Sequence, residues 1–416
     1  MQDTSRYAVG IDVGTTKVRC VIGYIDVSTG TPTIVGVGET PNSGMRKGSV
    51  VNLQGPLKAV DTALNEAERM SGYHATGATV SINGSHLLST KADGMIAIGT
   101  LDHEITEEDL ARLDDVATTG KVPANRRILQ VVPFSYRLDG QSDIKDPLGM
   151  TGTRLEINAN VISSLAPHEN NLHKVMEGLD MHVTRVVPSV VASARAVLTE
   201  QQLENGVAVI DFGGATTSIA IYEEGELQYM GVVPIGSNNI TNDLAIGLKT
   251  DPAIAEIVKL EHASATVRAE TKTITVKQEK QTYEFSSADV DEIVEARLEE
   301  IFESINTELK KAGKKGQLPN GVVIVGGGSK LKNLLEYAKE ALGLAVRKGK
   351  PTGFGGVADQ LEDPSFAAAV GLMFSDADNS TGDHASPKSF EGKKSVKKSA
   401  ANTKSAVSKF LERFRM

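Results

Sequence analysis

The chain of 416 residues contains no tryptophan, only one cysteine and few aromatic residues. The single cysteine, Cys20, excludes an internal disulfide framework and a cysteine-rich metal site, and this usage fits a reducing cytoplasm. We expect Cys20 to be a small buried hydrophobic residue. No apolar run approaches the roughly 18 residues of a membrane span. The first residues show no apolar core of a signal peptide, so we expect a cytoplasmic protein.

The net charge of −9 argues against a nucleic-acid-binding body. The charge is unevenly distributed along the chain. Residues 388–416 contain nine Lys or Arg and two Glu, a net charge of +7, so the rest of the chain carries −16 (−9 − 7). The length allows two or more domains. A basic C-terminal segment therefore follows an acidic globular body.

One sequence pattern occurs twice, in residues 7–23 and 208–222. Each copy has an apolar run, an aspartate, a glycine-containing turn, two threonines and a second run with β-branched residues, which predicts a β-hairpin. The two aspartates, Asp12 and Asp211, are 199 residues apart (211 − 12). The repetition indicates two similar lobes that hold one ligand between them.

The turns have the chemistry of a polyphosphate site. Glycines let backbone N–H groups approach phosphates closely, and threonines add hydroxyl donors. Asp12 and Asp211 can hold a hydrated Mg²⁺, and Lys17 either reaches phosphate oxygens or is a solvated strand residue. A single such turn could be an ordinary hairpin, whereas two favour a nucleotide site. The turn residues expected to bind phosphate are Gly14, Thr15, Thr16, Gly213, Gly214, Ala215, Thr216 and Thr217.

A third glycine-rich element supports the nucleotide interpretation. Residues 321–334 read G-V-V-I-V-G-G-G-S-K-L-K-N-L, a buried strand that ends in Gly326, Gly327 and Gly328. Glycines leave room for a flat base or for phosphates, and Ser329 is expected to cap a following helix. Residues 234–244 place Gly236 before another helix, whose N-terminus can also face phosphate.

Residues 84–162 differ in character and predict a small inserted α/β module used for contacts. One acidic-capped helix follows Thr106, and residues 133–140 (P-F-S-Y-R-L-D-G) are expected to form a turn. The histidines in or near the module, at positions 86, 103 and 168, look scattered, and neither a nucleophile–base pair nor metal-ligand spacing is present.

Hydrophobic periodicity predicts the remaining elements. Helices are expected at 54–70, 167–179, 189–199, 287–312 and 364–373, and strands at 33–39, 48–53, 78–82 and 271–285. The helices at 189–199 and 364–373 are rich in small side chains, which allow helices to pack closely.

The C-terminal tip has the pattern of a membrane-surface helix. Residues 375–402 are polar and predict a disordered linker that spans about 30 Å. Val407, Phe410, Leu411 and Phe414 then form one apolar stripe, flanked by cations that include Lys409 and Arg413. A groove on a protein and a nucleic acid are the alternative binding partners for this stripe.

The free energies of apolar burial and of chain ordering indicate that a single C-terminal tip binds a membrane reversibly. Burial of the four apolar side chains yields a gross ~6–12 kcal/mol, and ordering a dozen residues costs a similar amount. One tail should bind weakly, and several tails on one filament should bind firmly through effective concentration.

The run I-L-Q-V-V-P-F-S-Y-R-L-D-G-Q-S-D-I-K-D-P-L-G-M-T-G-T-R-L-E-I (128–157) resembles FtsA, a family of actin-like bacterial cell-division proteins. The resemblance implies an α/β actin-like ATPase fold, with two lobes of duplicated ribonuclease-H-like subdomains and an FtsA-type inserted subdomain. It implies subdomain 1A at 1–83, 163–205 and 353–374, 1C at 84–162, 2A at 206–245 and 318–352, 2B at 246–317, the linker at 375–402 and an amphipathic membrane-targeting helix at 403–416.

The resemblance also implies a function. Members of the family bind ATP with Mg²⁺, polymerise, tether FtsZ filaments to the cytoplasmic face of the cell membrane at the division septum, and help to recruit other division proteins. Glu256 and Lys259 are similar to a pair that grips ribose and adenine, although this spacing more often marks a surface ion pair. Arg297 is the candidate contact for the FtsZ C-terminal peptide, or else an intrahelical ion-pair partner.

Two departures from the wider superfamily lower the expected rate of ATP hydrolysis. Ser189 lies near the place where related filaments carry a glutamate, and Ser218 follows the threonine pair where aspartate is common. The catalytic residues are therefore unknown, and turnover should be slow at most. A chaperone-type or sugar-kinase-like enzyme and a pilus-assembly ATP-binding protein are the alternatives. A chaperone would need a substrate-binding domain after residue 375, where this sequence predicts only a linker. A sugar kinase would need a catalytic base in the cleft, and no acidic residue stands out there. The pilus-assembly protein lacks a basic amphipathic C-terminus of this kind.

Overall fold

The computed structural model describes residues 6–25, 31–99, 103–279, 281–356 and 361–379. The predicted amphipathic helix at 403–416 and nearly all of the predicted linker lie outside these residues. No helix in the described part of the chain is both long and apolar enough to cross a membrane.

The first lobe is built on a six-stranded sheet. Its elements before the insertion are β1 Arg6–Val13, β2 Lys17–Ile25, β3 Pro32–Pro41, β4 Met45–Arg46, β5 Ser49–Val50, α1 Gln54–Ser71 and β6 Gly77–Ile82. The strand expected at 48–53 is thus only two residues long. Helix α1 buries its predicted face, which includes Leu57, Val60 and Ala63.

The inserted module contains β7 Leu88–Ala97, α2 Glu107–Thr118, β8 Arg126–Leu138, β9 Gln141–Ile144 and β10 Arg154–Leu165. Its strands form a four-stranded antiparallel sheet with the order β7-β10-β8-β9, covered by helix α2. The expected turn at 133–140 is wrong for most of its length, because pairing with β10 extends β8 through Leu138. Only Asp139 and Gly140, both with positive φ, form the turn.

The chain then returns to the first lobe through α3 Ala166–Glu177, β11 His182–Pro188 and α4 Ser189–Val197, and enters the second lobe. That lobe contains α5 Glu200–Asn205, β12 Val207–Phe212, β13 Thr217–Glu223, β14 Glu226–Val233, α6 Ser237–Gly247, α7 Pro252–Ile257, a π-helical turn Val258–His262, β15 Thr273–Gln278, β16 Gln281–Ser286, α8 Ser287–Lys311, β17 Val322–Val325, a 3₁₀ turn Gly327–Lys330, α9 Leu334–Leu342 and β18 Val346–Lys348.

The chain ends its described part back on the first lobe, with β19 Gly355–Gly356, a 3₁₀ turn Pro364–Phe366 and α10 Ala367–Asn379. Helix α10 continues past residue 375, where the linker was expected to begin. The reason is that Asp376 is buried and accepts hydrogen bonds from the Val9 backbone N–H and the Thr79 hydroxyl. The polar composition of residues 375–379 therefore led to the wrong prediction of a linker there.

The two lobes share one topology. The first sheet has the order β11-β6-β1-β2-β3-β19 and the second β14-β13-β12-β17-β18. In each, three antiparallel strands are followed on one side by two parallel strands. The sequence repeat at Asp12 and Asp211 therefore marks a structural duplication.

The inserted module also contacts the second lobe. Lys145 Nζ donates to the Glu224 carbonyl oxygen over 2.7 Å, and Asn160 Nδ2 lies 3.4 Å from the Leu227 carbonyl oxygen. The Met230 backbone N–H donates to Ser89 Oγ over 3.4 Å. These contacts form a polar seam between the insertion and β14 with its preceding turn.

Small residues allow the helices to lie close to the sheet and to one another. A Cβ atom on Gly371 would lie 1.7 Å from the Ala192 carbonyl oxygen, so α10 and α4 cross with backbones in contact. A Cβ on Gly10 would lie 2.3 Å from the Ala369 carbonyl oxygen, which brings α10 onto β1 in the same way. The two small-residue helices expected from the sequence thus pack against each other.

We predict that Gly371→Ala destabilises the protein by about 2–3 kcal/mol, because the two helices must separate to admit the methyl group. Urea unfolding checks the prediction. Gly120→Ala is the control, since that glycine has φ of 75° but a Cβ atom there would meet no other atom within 4 Å, so only the roughly 1 kcal/mol backbone cost applies. Equal losses in the two variants would contradict the close helix crossing.

Candidate functional site

The first hairpin presents its turn to the cleft between the lobes. Asp12 pairs in register with Arg19, and its Oδ1 accepts a hydrogen bond of 2.8 Å from the Ser81 hydroxyl. Burial raises the pKa of Asp12. The turn itself is fixed from outside, because Asn42 Nδ2 donates to the Gly14 carbonyl oxygen over 2.7 Å.

The second hairpin is fixed by the helix that follows its sheet. The backbone N–H groups of Ser237 and Asn238, in the first turn of α6, donate to the carbonyl oxygens of Gly213 and Gly214. A Cβ atom on Gly236 would lie 2.6 Å from the Gly214 carbonyl oxygen, so only glycine permits this approach. The first turn of α6 therefore lies directly beside the second hairpin.

The two hairpins face one cavity of about 500 Å³. They approach so closely that a Cβ on Gly214 would lie 2.6 Å from the methyl group of Thr16. All of the residues predicted to bind the nucleotide line this cavity except Thr217, Gly236 and Ser329. The Thr217 hydroxyl instead donates to the Ile235 carbonyl oxygen, where it supports the turn from behind.

Two carboxylates of like charge, Asp12 and Asp211, line the cavity and repel each other when both are ionised. Burial, and next the nearby charge of Asp12, raise the pKa of Asp211 to about 6. Within the described residues no group of three or more His, Cys, Asp or Glu side chains is placed to hold a metal ion. Two carboxylates therefore fit a cation that keeps much of its water shell, as Mg²⁺ does.

Further polar groups in the cavity are left without a protein partner. The hydroxyl oxygens of Ser193 and Ser365 are buried, line the cavity and have no hydrogen-bond partner among the described residues. Unpaired buried hydroxyls are costly. These two hydroxyls could hydrogen-bond to a polar ligand or to its hydration shell. The residues that line the cavity therefore fit a phosphate-bearing ligand with a hydrated cation.

Arg19 is a cavity residue that sequence reasoning missed. Its Nε donates to Glu39 Oε2 over 2.7 Å, and its guanidinium carbon lies 5.2 Å from the centre of the Phe366 ring. Glu39 also pairs with Lys17. Burial opposes ionisation of Glu39, yet the contacts with Lys17 and Arg19 hold its pKa below the usual value. The two-residue spacing of Lys17 and Arg19 on β2 places both on one face, which was the available signal.

The far end of the cavity holds the predicted ribose and adenine pair. Lys259 is buried, and its Nζ lies 2.7 Å from Glu256 Oε2 and 2.8 Å from Thr241 Oγ1. Lys259 belongs to a π-helical turn directly after α7, a distortion that occurs often at functional sites. Lys259 is therefore enclosed at the cavity wall, whereas the side chain of Glu256 is 41% exposed.

The three glycines close the second lobe's part of the cavity. Gly326 has φ of 83°, and a Cβ there would lie 2.5 Å from Asp211 Oδ1. Gly327 has open space where its Cβ would be. The expectation that Ser329 caps a helix is wrong, because its hydroxyl donates to the Gly326 carbonyl oxygen inside a 3₁₀ turn. Helix α9 begins later, after Asn333.

Two other predictions concern residues away from the cavity. Arg297 pairs with Asp243 on α6 and with Glu300 one turn along α8, so the ion-pair alternative describes its contacts. His86 and His168 are not scattered, since their rings stack with centroids 4.0 Å apart. Burial, then the charge of His168, lowers the pKa of His86 to about 4.

The two serines that depart from the superfamily pattern, Ser189 and Ser218, both lie at or near the cleft. Ser189 begins α4 and lines the cavity, and its buried hydroxyl oxygen has no hydrogen-bond partner among the described residues. Ser218 Oγ donates to Asn83 Oδ1 in the first lobe over 2.9 Å. Asn83 also lines the cavity and was not singled out as a site residue from the sequence. In the sequence, Asn83 followed by Gly84 after a buried strand predicts only a turn. It does not predict that Asn83 contacts a residue of the other lobe.

Comparisons with known proteins agree with this architecture. A family model described as "Cell division protein FtsA" matches residues 208–371, and one described as "SHS2 domain inserted in FTSA" matches residues 84–163. The cell division protein FtsA of Pseudomonas aeruginosa is 33% identical over 374 residues, 89% of each chain. That of Bacillus subtilis is 32% identical over 369 residues, 88% of this chain and 82% of that protein.

Solved structures share the fold at lower identity. A chain of the "PilM-PilN type IV pilus biogenesis complex" has a TM-score of 0.65 and 16% identity, with 88% of this chain and 98% of that chain covered. MreB5 of Spiroplasma citri bound to ADP has a TM-score of 0.55 and 12% identity, with coverage of 90% and 98%. These likenesses confirm the predicted α/β actin-like fold.

The sequence identities extend over most of both proteins, and the insertion is matched by its own family model. The resemblance first suggested by residues 128–157 is thereby confirmed. The chain belongs to the FtsA family of actin-like cell division proteins.

Proposed function

We propose that the chain binds Mg²⁺-ATP in the cleft and that the bound nucleotide holds the two lobes in a polymer-forming arrangement. The observation that carries this proposal is the pair of aspartate-headed turns, one from each lobe, facing one cavity of about 500 Å³. That volume lies within the usual range for small-molecule and cofactor sites. A ligand that contacts both turns favours the closed state by its differential affinity for it.

In this proposal the residues predicted from the sequence divide into phosphate-binding, cation-binding and nucleoside-binding groups. The backbone N–H groups of the two turns face the phosphates, and Lys17 exchanges its contact with Glu39 for a phosphate oxygen. Asp12 and Asp211 hold the hydrated Mg²⁺, which neutralises phosphate charge when bound. Glu256, Lys259 and the three glycines enclose the nucleoside. The structural relative MreB5, described as bound to ADP, supports a nucleotide as the ligand.

We propose that hydrolysis is slow. Ser189 occupies the start of α4, and a serine hydroxyl is a poor base near neutral pH because it does not ionise there. The nucleotide then acts mainly as a structural link between the lobes, and its turnover limits how long a polymer persists.

In the cell we propose that the protein polymerises and tethers FtsZ filaments to the cytoplasmic face of the membrane at the septum. It also helps to recruit the other division proteins. Family membership supports a role in cell division, and the basic amphipathic pattern at Val407, Phe410, Leu411 and Phe414 supports anchoring to anionic lipid. A polymer presents many such tails and converts weak single contacts into firm attachment.

Subdomain 2B is the proposed docking site for the FtsZ C-terminal peptide. Arg297 remains the candidate contact, and its side chain is 22% exposed. A carboxylate of the peptide must compete there with Asp243 and Glu300, so the contact is weak unless other residues contribute. We keep the subdomain boundaries given by the family resemblance as our proposed division of the chain, except that α5 Glu200–Asn205 is assigned to the second lobe because it hydrogen-bonds to the turn after β13.

Asp211→Ala is predicted to abolish Mg²⁺-dependent binding of ATP, because one of two carboxylates that hold the cation is lost. Titration of a fluorescent ATP analogue, followed by anisotropy, measures the affinity. Glu340→Gln on the exposed side of α9 is the control and should bind as the wild type does. Unchanged affinity of Asp211→Ala would remove the site.

The isosteric change Asp211→Asn is predicted to stabilise the nucleotide-free protein above pH 6. The raised pKa of Asp211 means that its neutral form favours the folded state, and that this contribution is lost as the pH rises through about 6. Asparagine stays neutral, so at pH 8 the gain in free energy of unfolding reaches about 3 kcal/mol at most. Urea unfolding should show this difference narrowing as the pH falls from 6 and closing below about 4, the ordinary pKa of an aspartate. A gap that grows on acidification would refute the prediction.

Phe410→Asp with Phe414→Asp in the full chain should release the protein from anionic liposomes, because both apolar anchors become charged. Co-sedimentation measures the bound fraction. Ser405→Asp with Ser408→Asp changes the net charge equally but leaves the apolar stripe intact, so this control should keep most of its binding. Wild-type sedimentation of the Phe variant would refute the anchor.

A further inference from the structure

Asn83 occupies the junction between the two lobes. It follows β6 of the first lobe, and its Oδ1 accepts hydrogen bonds from the Gly84 backbone N–H over 2.7 Å and from the Ser218 hydroxyl over 2.9 Å. Its Nδ2 lies 3.2 Å from Thr216 Oγ1. Because a backbone N–H can only donate, the Gly84 contact fixes which end of the amide is the acceptor. One side chain of the first lobe therefore contacts two residues of the second lobe's hairpin.

The backbone of Asn83 is held firmly from within the first lobe. Its carbonyl oxygen lies 3.0 Å from His86 Nε2, and the His86 ring stacks on His168. Arg126 Nη2 donates to the His86 carbonyl oxygen over 2.6 Å. This support fixes the position of Asn83 in the first lobe. Its side-chain hydrogen bonds to Ser218 and Thr216 therefore constrain where the second lobe lies.

The same turn is connected to the first lobe's phosphate-facing hairpin through Gly48. The Gly48 backbone N–H donates to Thr15 Oγ1 over 3.2 Å. Gly48 in turn packs so tightly on the Asn83–Gly84 peptide that a Cβ atom would lie 2.8 Å from it. Asn83 is thus connected to Thr15 on one side of the cavity and to Thr216 on the other.

We propose that Asn83 is a positioning residue that links the two phosphate-facing hairpins and sets the closed spacing of the lobes through Ser218 and Thr216. The serine at 218 acquires a role from this link, since its hydroxyl supplies the hydrogen that the Asn83 carbonyl accepts. An aspartate at that position would instead place a carboxylate against the carbonyl oxygen. The inference deepens the proposed nucleotide function and rests on it only for its effect on ATP.

The first test is a double-mutant cycle on the full chain. Asn83→Ala and Ser218→Ala should each speed dissociation of a fluorescent ATP analogue by about fivefold, the usual size of one lost hydrogen bond. The double variant should dissociate no faster than Asn83→Ala alone, because both changes remove one link. Asn65→Ala on the exposed side of α1 is the control. Fully additive effects, or unchanged rates, would overturn the proposal.

The second test does not need nucleotide. Spin labels on cysteines introduced at Arg69 of α1 and Glu340 of α9, both exposed, measure the distance between the lobes by pulsed electron resonance, since the native Cys20 is buried. Asn83→Ala and Ser218→Ala should both lengthen and broaden the distances in the free protein. Unchanged distances overturn the positioning role. Failure of the wild type to bind ATP, with distances that still change, overturns the nucleotide proposal alone.

Discussion

The central constraint on the cleft is the repulsion between two like-charged carboxylates, of which Asp12 is buried and Asp211 is partly buried. Asp12 and Asp211 lie at the same position of two duplicated sheets and face one cavity, and burial raises the pKa of each. A compact arrangement with both groups charged and nothing between them is costly. In the proposed function, a cation with its water shell would offset that cost, and the phosphates bound with it would lie against the two turns. A bound nucleotide would then help to hold the lobes together.

Around this centre the chain uses glycine to bring backbones together. Gly371 and Gly10 let α10 lie against α4 and β1, and Gly236 and Gly326 let the second lobe's loops close on Asp211 and its hairpin. The same device therefore serves the helix crossing and the cavity wall. Where backbones touch in this way, a shift of one element would displace its neighbour directly, because no side chain lies between them to adjust.

The duplicated hairpins, the small-residue helices and the inserted module could all be predicted from sequence, because each rests on local periodicity or on turn chemistry. The extent of β8 could not, since pairing with β10 extends a strand through residues that resemble a turn. The helical turn at 375–379 was missed because buried partners of Asp376 override a polar composition. Arg19 and Asn83 escaped notice because their partners, Phe366 and Ser218, are distant in sequence. The spacing of Lys17 and Arg19 on β2 was a usable signal for Arg19, whereas the contact of Asn83 with Ser218 leaves no pattern in a single sequence.

The polar seam between the insertion and β14 has a thermodynamic consequence. Lys145, Asn160 and Ser89 attach the insertion to the second lobe, although the chain enters and leaves it from the first. Opening of the cleft must shear this seam. A neighbouring molecule that binds the insertion and favours one alignment of the seam would change the affinity of the cleft for its ligand. By linkage, that ligand would change the affinity of the insertion for the neighbouring molecule by the same factor. Assembly and ligand binding would then be coupled through the seam.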